Sequence, residues 1–468
     1  MRRTKIVATI GPASRDPNTL ARMVQAGMDV ARLNFSHGNR EIHAENAARI
    51  RAAAAQVGRQ VAILQDLPGP KLRIGALKDD IAELKPGETL VLSCGSSEVG
   101  HGQRMSISWA GLAHAVDPQD VIYLADGAIR LRVQAVRVGD GEIETAVEVG
   151  GSVASRQGLN IPGSTRGLPA VPEEDLDMLR FGESIGVDVV ALSFVRTAED
   201  VETVRRHTRL PLIAKIEKPQ AVDEAEAIIH AADCVMVARG DLGIELPIED
   251  VPMVQKRLLR IAGQLARPSI TATQMLDSMV SSSRPTRAEV ADVANAILDG
   301  TDAVMLSQET AIGAYPVEAI EMMAAVACRT ERELPFREWT ENRVNRDSRD
   351  PAYTVAHSAC TAARELGLAA LVVPTLSGRS ARLVSAHRPP VPIYALSPGK
   401  ETVRRCSLMW GVQAALMGRH EITEALIADA ARRVVELGWV KSGDRVGITA
   451  GLPSGKPGTT SLVQVQSV

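Results

Sequence analysis

Leu212-Ile213-Ala214-Lys215-Ile216-Glu217, a helix-like stretch at Ala221–Ala231, and Cys234-Val235-Met236-Val237-Ala238-Arg239-Gly240 make one strand–helix–strand unit. Short apolar runs alternating with longer amphipathic segments are the signature of a parallel sheet. Outward from this unit the pattern recurs at Lys5–Ile10, Val30–Phe35, Val61–Asp66, Asp188–Phe194, Ser269–Thr273 and Ala303–Ser307. Helix-like segments lie between most runs, at Asp200–His207, Met253–Leu265 and Arg287–Leu298. Eight such runs with intervening helices are the parts of an α/β fold, a closed (β/α)8 TIM barrel.

The count is interrupted after the third run by Pro68-Gly69-Pro70. Residues 71–165 read as short strands (Thr89–Ser93, Val121–Leu124, Ile129–Val138, Ile143–Val149) broken by turns such as Asp126-Gly127. Gly163 and Gly167-Leu168-Pro169 precede the return of the helical pattern. A small inserted β-barrel domain explains this; a continuation of the same sheet is the alternative. Residues 329–351 crowd Arg, Glu, Asp and Asn and read as a solvated linker. A C-terminal α/β domain follows: helix Thr354–Leu366, strand Ala370–Val373, helix Ser380–Ala386, strand Ile393–Leu396, helix Thr423–Leu437, and strands Arg445–Ala450 and Leu462–Val465. The expected domains are 1–69 with 167–340 (barrel), 70–166 (lid) and 350–468 (regulatory).

The 468 residues allow about three domains at ~150 residues each. Hydrophobic residues at 45% and charged residues at 23% are ordinary for a globular chain. A net charge of −3 gives no basic footprint for nucleic acid, and 3% aromatic residues leave little for base stacking. Five scattered Cys without a CxxC pair argue against a disulfide scaffold or thiolate zinc site and for a reducing compartment. No signal-peptide core and no run of 18 apolar residues is present, so a cytoplasmic location is expected, with no membrane partner.

Barrel chemistry sits at the C-terminal strand ends, so polarity there is informative. The second run carries Arg32, Asn34 and Ser36; the third ends at Asp66; the fifth carries Lys215 and Glu217; the sixth runs into Arg239-Gly240-Asp241; the seventh ends at Thr271 and Thr273; the eighth ends near Glu309. Period two puts Lys215 and Glu217 on one face, and in a barrel that face can be the interior. Lys215, Glu217 and Asp241 converging there would be costly unless they bind something. Two carboxylates suit Mg²⁺, which keeps waters and bridges to phosphate; a structural ion pair capping the barrel is the alternative. Arg32 suits a phosphate or carboxylate, or else a rim salt bridge. The chain has no P-loop, G-x-G-x-x-G after a strand, H-E-x-x-H or G-x-S-x-G. In the last domain Thr375-Leu376-Ser377-Gly378-Arg379-Ser380 precedes a helix and could hold an anion, or be an ordinary Ser cap.

These residues resemble the pyruvate kinase family over almost the full length. The matching segments are Thr4–Ser14, Ala31-Arg32-Leu33-Asn34-Phe35-Ser36-His37-Gly38, Ala214-Lys215-Ile216-Glu217, Val237–Gly243, Ala272–Leu276 and Ser283–Glu289. The resemblance implies phosphoryl transfer from phosphoenolpyruvate to ADP, giving pyruvate and ATP. It implies that Arg32, Lys215, Gly240, Asp241 and Thr273 meet substrate, with Lys215, Thr273 and Arg32 catalytic. Glu217 and Asp241 would bind Mg²⁺ or Mn²⁺. Asn34 and Arg73 would reach the nucleotide, and the inserted domain would close over the mouth. Asn34, Ser36, Asp66 and the Leu67 carbonyl match a K⁺ site. Potassium-dependent members carry Glu where this chain has Lys71 and Thr where it has Leu67, so K⁺ is expected not to be required. A phosphorylated effector is expected at Thr375, Ser377, Gly378, Arg379 and Ser380, and a homotetramer by family analogy. Gln308 stands where Gly is usual, and Glu174 where many members have a nucleotide-contacting Lys. With Val468 as the last residue, the extra C-terminal domain of some bacterial members is expected to be absent. The alternatives are a Mg²⁺-dependent pyruvate-enolate lyase on the same barrel, which would not need the lid or Arg73, and a non-catalytic sensor, which would have lost Lys215 or a metal ligand.

Overall fold

In the computed structural model, which describes residues 2–70, 72–161, 171–336, 339, 348–451 and 460–468, eight parallel strands close into a barrel. They are β1 (Lys5–Thr9), β2 (Val30–Asn34), β3 (Ala62–Asp66), β4 (Val189–Leu192), β5 (Leu212–Ile216), β6 (Cys234–Ala238), β7 (Ser269–Ala272) and β8 (Ala303–Leu306). They pair in chain order, and β8 returns to β1. The predicted runs all contain these strands because each is a continuous apolar segment, buried on both faces. Helix starts are written locally: Thr197 with Asp200 and Thr286 with Glu289 form capping boxes at Ala198–Arg205 and Arg287–Leu298.

Alternation sorts each strand. Val30, Leu64, Ala191, Ile213, Met236 and Met305 fill the barrel interior. Ala31, Ile63, Val190, Ala214, Val235 and Val304 face the surrounding helices. This parity, continued past the strand ends, decides what enters the mouth.

The inserted segment forms a seven-stranded sheet and a two-stranded sheet. An Ile74–Ile107 bridge joins the two edges of the larger sheet. Val121–Leu124 and Ile129–Arg137 form an antiparallel pair around a turn at Ala125–Gly127, where Gly127 has φ 92°. Their core is separate, built on residues such as Leu90, Leu92, Ile122, Leu131 and Ile143.

The C-terminal sheet has the order Val412–Leu416, Ile393–Ser397, Ala370–Pro374, Arg445–Gly451, Thr460–Ser467, with only the last strand antiparallel. It caps the N-terminal end of the barrel. Leu408 joins the barrel's interior cluster from below. Arg388, fully buried, pairs with Asp302 at 2.9 Å, and Lys5 Nζ donates to the Val412 carbonyl at 2.6 Å.

Three expectations change. The helix predicted at Ala221–Ala231 is two, Pro219–Asp223 and Ala225–Ala231, because Glu224 leaves helical geometry at ψ 16°. At the start of the 329–351 stretch Arg329, Arg332 and Glu333 are exposed, as a solvated linker requires, but Glu331 is not. Helix Pro316–Thr330 continues into a turn at Glu331–Glu333, and buried Glu331 accepts the backbone N–H groups of Arg3 and Thr4. Strand Val412–Leu416 and helix Lys400–Arg405 were not anticipated: the strand is a sheet edge of Val, Gln, Ala and Leu, held by pairing rather than propensity. All five cysteines are free thiols, and among the described residues no helix is long and apolar enough to cross a membrane.

Candidate active site at the barrel mouth

The interior parity of five strands runs straight into a charged cluster. Thr9, Arg32, Asp66, Ser193 and Lys215 with Glu217 continue the inward faces of β1 to β5. Arg32 Nε donates to Asp66 Oδ2 at 2.7 Å and its Nη1 to Thr9 Oγ1 at 3.0 Å. Lys215 Nζ donates to Ser193 Oγ at 2.7 Å, and Ser193 Oγ donates to the Leu67 carbonyl at 2.7 Å. The ammonium also lies 2.9 Å from Glu217 Oε1 and 3.3 Å from Asp66 Oδ1. These two are ion-pair contacts, since the aligned hydrogen bond goes to Ser193. Burial alone would lower the Lys215 ammonium, but Asp66, Glu217 and Asp241 raise it above its ordinary value, so it is a permanent cation. Burial opposes ionisation of Asp66 too, yet Lys215 and Arg32 hold it below the usual carboxylate range.

Glu217 goes the other way. Burial, reinforced by Asp241, pushes its carboxyl up against the pull of Lys215. Its Oε2 accepts the Phe194 N–H at 2.7 Å, which Phe194 presents from a left-handed φ of 57°. Its Oε1 is buried against the Lys215 ammonium at 2.9 Å without an aligned hydrogen bond. Asp241, in the first turn of helix Arg239–Glu245, is half-buried nearby. A buried, incompletely satisfied oxygen beside a second repelling carboxylate fits a hard divalent cation, so Glu217 and Asp241 are the residues that would hold Mg²⁺. Among the described residues no group of three or more His, Cys, Asp or Glu could hold a metal.

Thr273 closes the opposite wall. Its Oγ1 accepts the Gly240 N–H at 2.7 Å and donates to the Ala272 carbonyl at 2.5 Å. Thr273 and Gln274 both have positive φ, 72° and 52°. A β-branched residue there stores of order 1–3 kcal/mol of strain, which neighbours must hold in place. Arg239 does so, donating to the Thr273 carbonyl at 2.8 Å while anchored to Asp292 at 2.7 Å.

Of the monovalent-site residues, Asn34 Oδ1 accepts the Ser36 N–H at 3.1 Å, the Leu67 carbonyl is engaged by Ser193, and the Asp66 oxygens face Arg32 and Lys215. Lys71 lies outside the described residues. Arg73 lines a cavity of about 250 Å³ between barrel and lid, shared with His37, Asn160, Lys218 and Asp241. Glu174 is exposed in the first turn of helix Glu173–Ser184, and Gln308 begins helix Gln308–Ala311. Far from the mouth, Thr375 Oγ1 accepts the Gly378 N–H at 3.0 Å, Arg379 pairs with Asp350, and Ser380 Oγ meets Thr460 Oγ1 at 2.5 Å.

The structure thus brings Arg32, Asp66, Lys215, Glu217 and Asp241 together and leaves the Thr375–Ser380 loop apart. Sequence reasoning missed Ser193, Thr9 and Lys218. For Ser193 the signal was present, since period two from Val189 and Ala191 points it inward.

Residues 1–320 match the family model for the pyruvate kinase barrel domain, and residues 353–466 the model for the pyruvate kinase alpha/beta domain. The chain belongs to the pyruvate kinase family. A pyruvate kinase of Geobacillus stearothermophilus is 44% identical over the whole chain, which spans 80% of that relative. One from Bacillus licheniformis is 42% identical, with 81% of its length spanned. The crystal structure of a pyruvate kinase from Cryptosporidium parvum superposes with a TM-score of 0.93 at 33% identity, covering all of this chain and 96% of that one. Family membership favours phosphoryl transfer over the enolate-lyase reading.

Proposed function

We propose that the barrel mouth transfers the phosphoryl group of phosphoenolpyruvate to ADP, giving pyruvate and ATP in the last step of glycolysis. The observation that carries this reading is Lys215, a buried permanent cation held between Asp66, Glu217 and Ser193 on the barrel's inner face. Arg32 and Lys215 hold the phosphoryl group from two sides. In flight its charge spreads over three oxygens, so positioned cations contribute more than covalent chemistry. Lys215 then faces the enolate left behind. Thr273 and the Gly240 backbone orient the three-carbon fragment for protonation. Glu217 and Asp241 would hold Mg²⁺, which would supply positive charge to offset the anionic substrate. Asn34 and Arg73 orient the nucleotide, and the inserted domain (70–166) excludes water. The test is a coupled assay: ATP and pyruvate should appear in equal amounts, dependent on Mg²⁺. Pyruvate without ATP would overturn the reading.

K⁺ is not required in this reading. Its support is in the sequence: Lys71 stands in place of Glu, exchanging a negative charge for a positive one in the stretch that follows Asp66, and Leu67 replaces Thr. In tetramethylammonium buffer free of K⁺ and NH₄⁺, added K⁺ should stimulate less than about tenfold, equivalent to ~1.4 kcal/mol of barrier. Larger stimulation would contradict it, and Lys71→Glu should create a K⁺ requirement. Thr375–Ser380 takes the phosphate of an activating sugar phosphate or nucleotide. Its support is the left-handed Gly378 before a helix and a cavity of about 250 Å³ that Ser377, Gly378 and Arg379 share with Arg382 and Arg405. Arg379→Ala should abolish activation and spare the unactivated rate; an effector screen that shifts no phosphoenolpyruvate saturation curve would reduce the loop to a cap. The working form is a cytoplasmic homotetramer, which sedimentation would read directly.

A further inference from the structure

The short helix Arg239–Glu245 carries Asp241 near its start and Glu245 at its end. The inserted domain rests on this same helix. A Cβ on Gly127, in the lid turn, would lie 3.6 Å from Ile244 Cγ1. The lid strand Gly158–Asn160 brings the Asn160 side chain to Glu245, where its amide favours the charged carboxylate. From the barrel side Lys218, the residue after Glu217, pairs with Glu245 and stands 5.7 Å from the Phe194 ring centroid. Lys218 and Glu245 are 5% and 7% exposed. Such a pair is weak as a source of stability, because desolvation offsets the attraction. One carboxylate oxygen is held by Lys218. The other, Oε2, is buried with no hydrogen-bond donor. Asn160 therefore faces Glu245 across the barrel–lid seam without completing an aligned hydrogen bond.

We propose that Lys218, Glu245 and Asn160 form a latch that registers the inserted domain on the barrel mouth, making Glu245 a positioning residue for phosphoryl transfer. Seating Asn160 on Oε2 satisfies the orphaned oxygen, and Lys218 and the helix transmit the seating to Glu217 and Asp241. Asn160, Lys218, Asp241 and Arg73 line one cavity, so the nucleotide end of the site and its carboxylates close together. Closure keeps water from the phosphoryl group, which otherwise passes to water to give phosphate and pyruvate.

This rests on the mouth being the site of phosphoryl transfer, so the comparison is made against wild-type enzyme that forms ATP; a wild type that forms none overturns that reading instead. Asn160→Ala is the primary variant, since Asn160 is only half-buried. It should keep the wild-type melting midpoint and hold KM for phosphoenolpyruvate within threefold. It should lower kcat by tenfold or more, raise KM for ADP, and release phosphate beyond the ATP formed. Asn160→Ser, which retains a donor, should recover part of kcat. In a Glu245→Gln background, Asn160→Ala should add less than threefold. If Glu245→Gln does not fold because Lys218 loses its counter-charge, the Asn160 series decides alone. Asn160→Ala within threefold of wild type in kcat and coupling would overturn the latch, as would losses that simply multiply in the double variant.

Discussion

Lys215, Glu217 and Asp66 were legible as single letters because each is a charge on the inward parity of an apolar strand, where it is costly without a partner. The inward parity of Ser193 could be read, but neither it nor Thr9 stood out, since a hydroxyl in a strand carries no such cost and is common in cores. Thr273 stood out as a strand end and through the family resemblance, but its positive φ is invisible in sequence. At this scale the carboxylates give a direct prediction. Glu217→Gln keeps an acceptor for the Phe194 N–H but removes the charge, so the Mg²⁺ concentration for half-maximal rate should rise at least about tenfold, ~1.4 kcal/mol. A Mg²⁺ titration checks this, and an unchanged half-point would assign Glu217 to the Lys215 ion pair alone.

Elements were legible in proportion to burial. The barrel strands read cleanly because helices cover them on one side and the packed interior on the other. Strand Val412–Leu416 did not, since an edge of Ala and Gln lacks that signal. Nor did the capping of the lid hinge. Gly69, with φ 69°, begins the excursion into the inserted domain, and its N–H is held at 2.9 Å by Asp175 from helix Glu173–Ser184. Burial pushes the Asp175 carboxyl up to about 6, with Glu174 and Asp66 adding to it. A carboxyl whose folded value exceeds its unfolded one binds more protons folded, so its contribution to stability is present at low pH and is lost as pH rises from about 4 through about 6. Asp175→Asn retains an acceptor and cannot ionise. Its stability relative to wild type should therefore improve across that window, by at most ~3 kcal/mol. Denaturant unfolding of both proteins at pH 4, 5, 6 and 7 measures this; a constant difference would place the Asp175 value near the unfolded one.

At the scale of the whole molecule, the division of the chain was legible from Gly/Pro breaks and pattern changes, whereas the contacts between its parts were not. Asp188 at the start of β4 accepts Arg51 from the barrel and Arg404 from the C-terminal domain, both at 2.6 Å, and no local pattern announces such a meeting. The same holds for Arg388, which lies 4.6 Å from the Trp410 ring and reaches Asp302 on the barrel. Arg388→Met keeps the apolar contact but strands the Asp302 charge, which should cost about 3–5 kcal/mol and lower the melting midpoint; adding Asp302→Asn should recover part of it, and calorimetry reads both. In the proposed mechanism the assembled molecule serves one arrangement, a buried lysine that stabilises transferring charge. Its most direct test is the turnover of Lys215→Met beside its binding of Mg²⁺ and phosphoenolpyruvate. The account predicts binding within a few-fold of wild type and kcat lower by at least ~10²–10³-fold, the usual loss for one preorganised electrostatic group. A variant turning over within tenfold of wild type would contradict it and make Lys215 a structural ion pair.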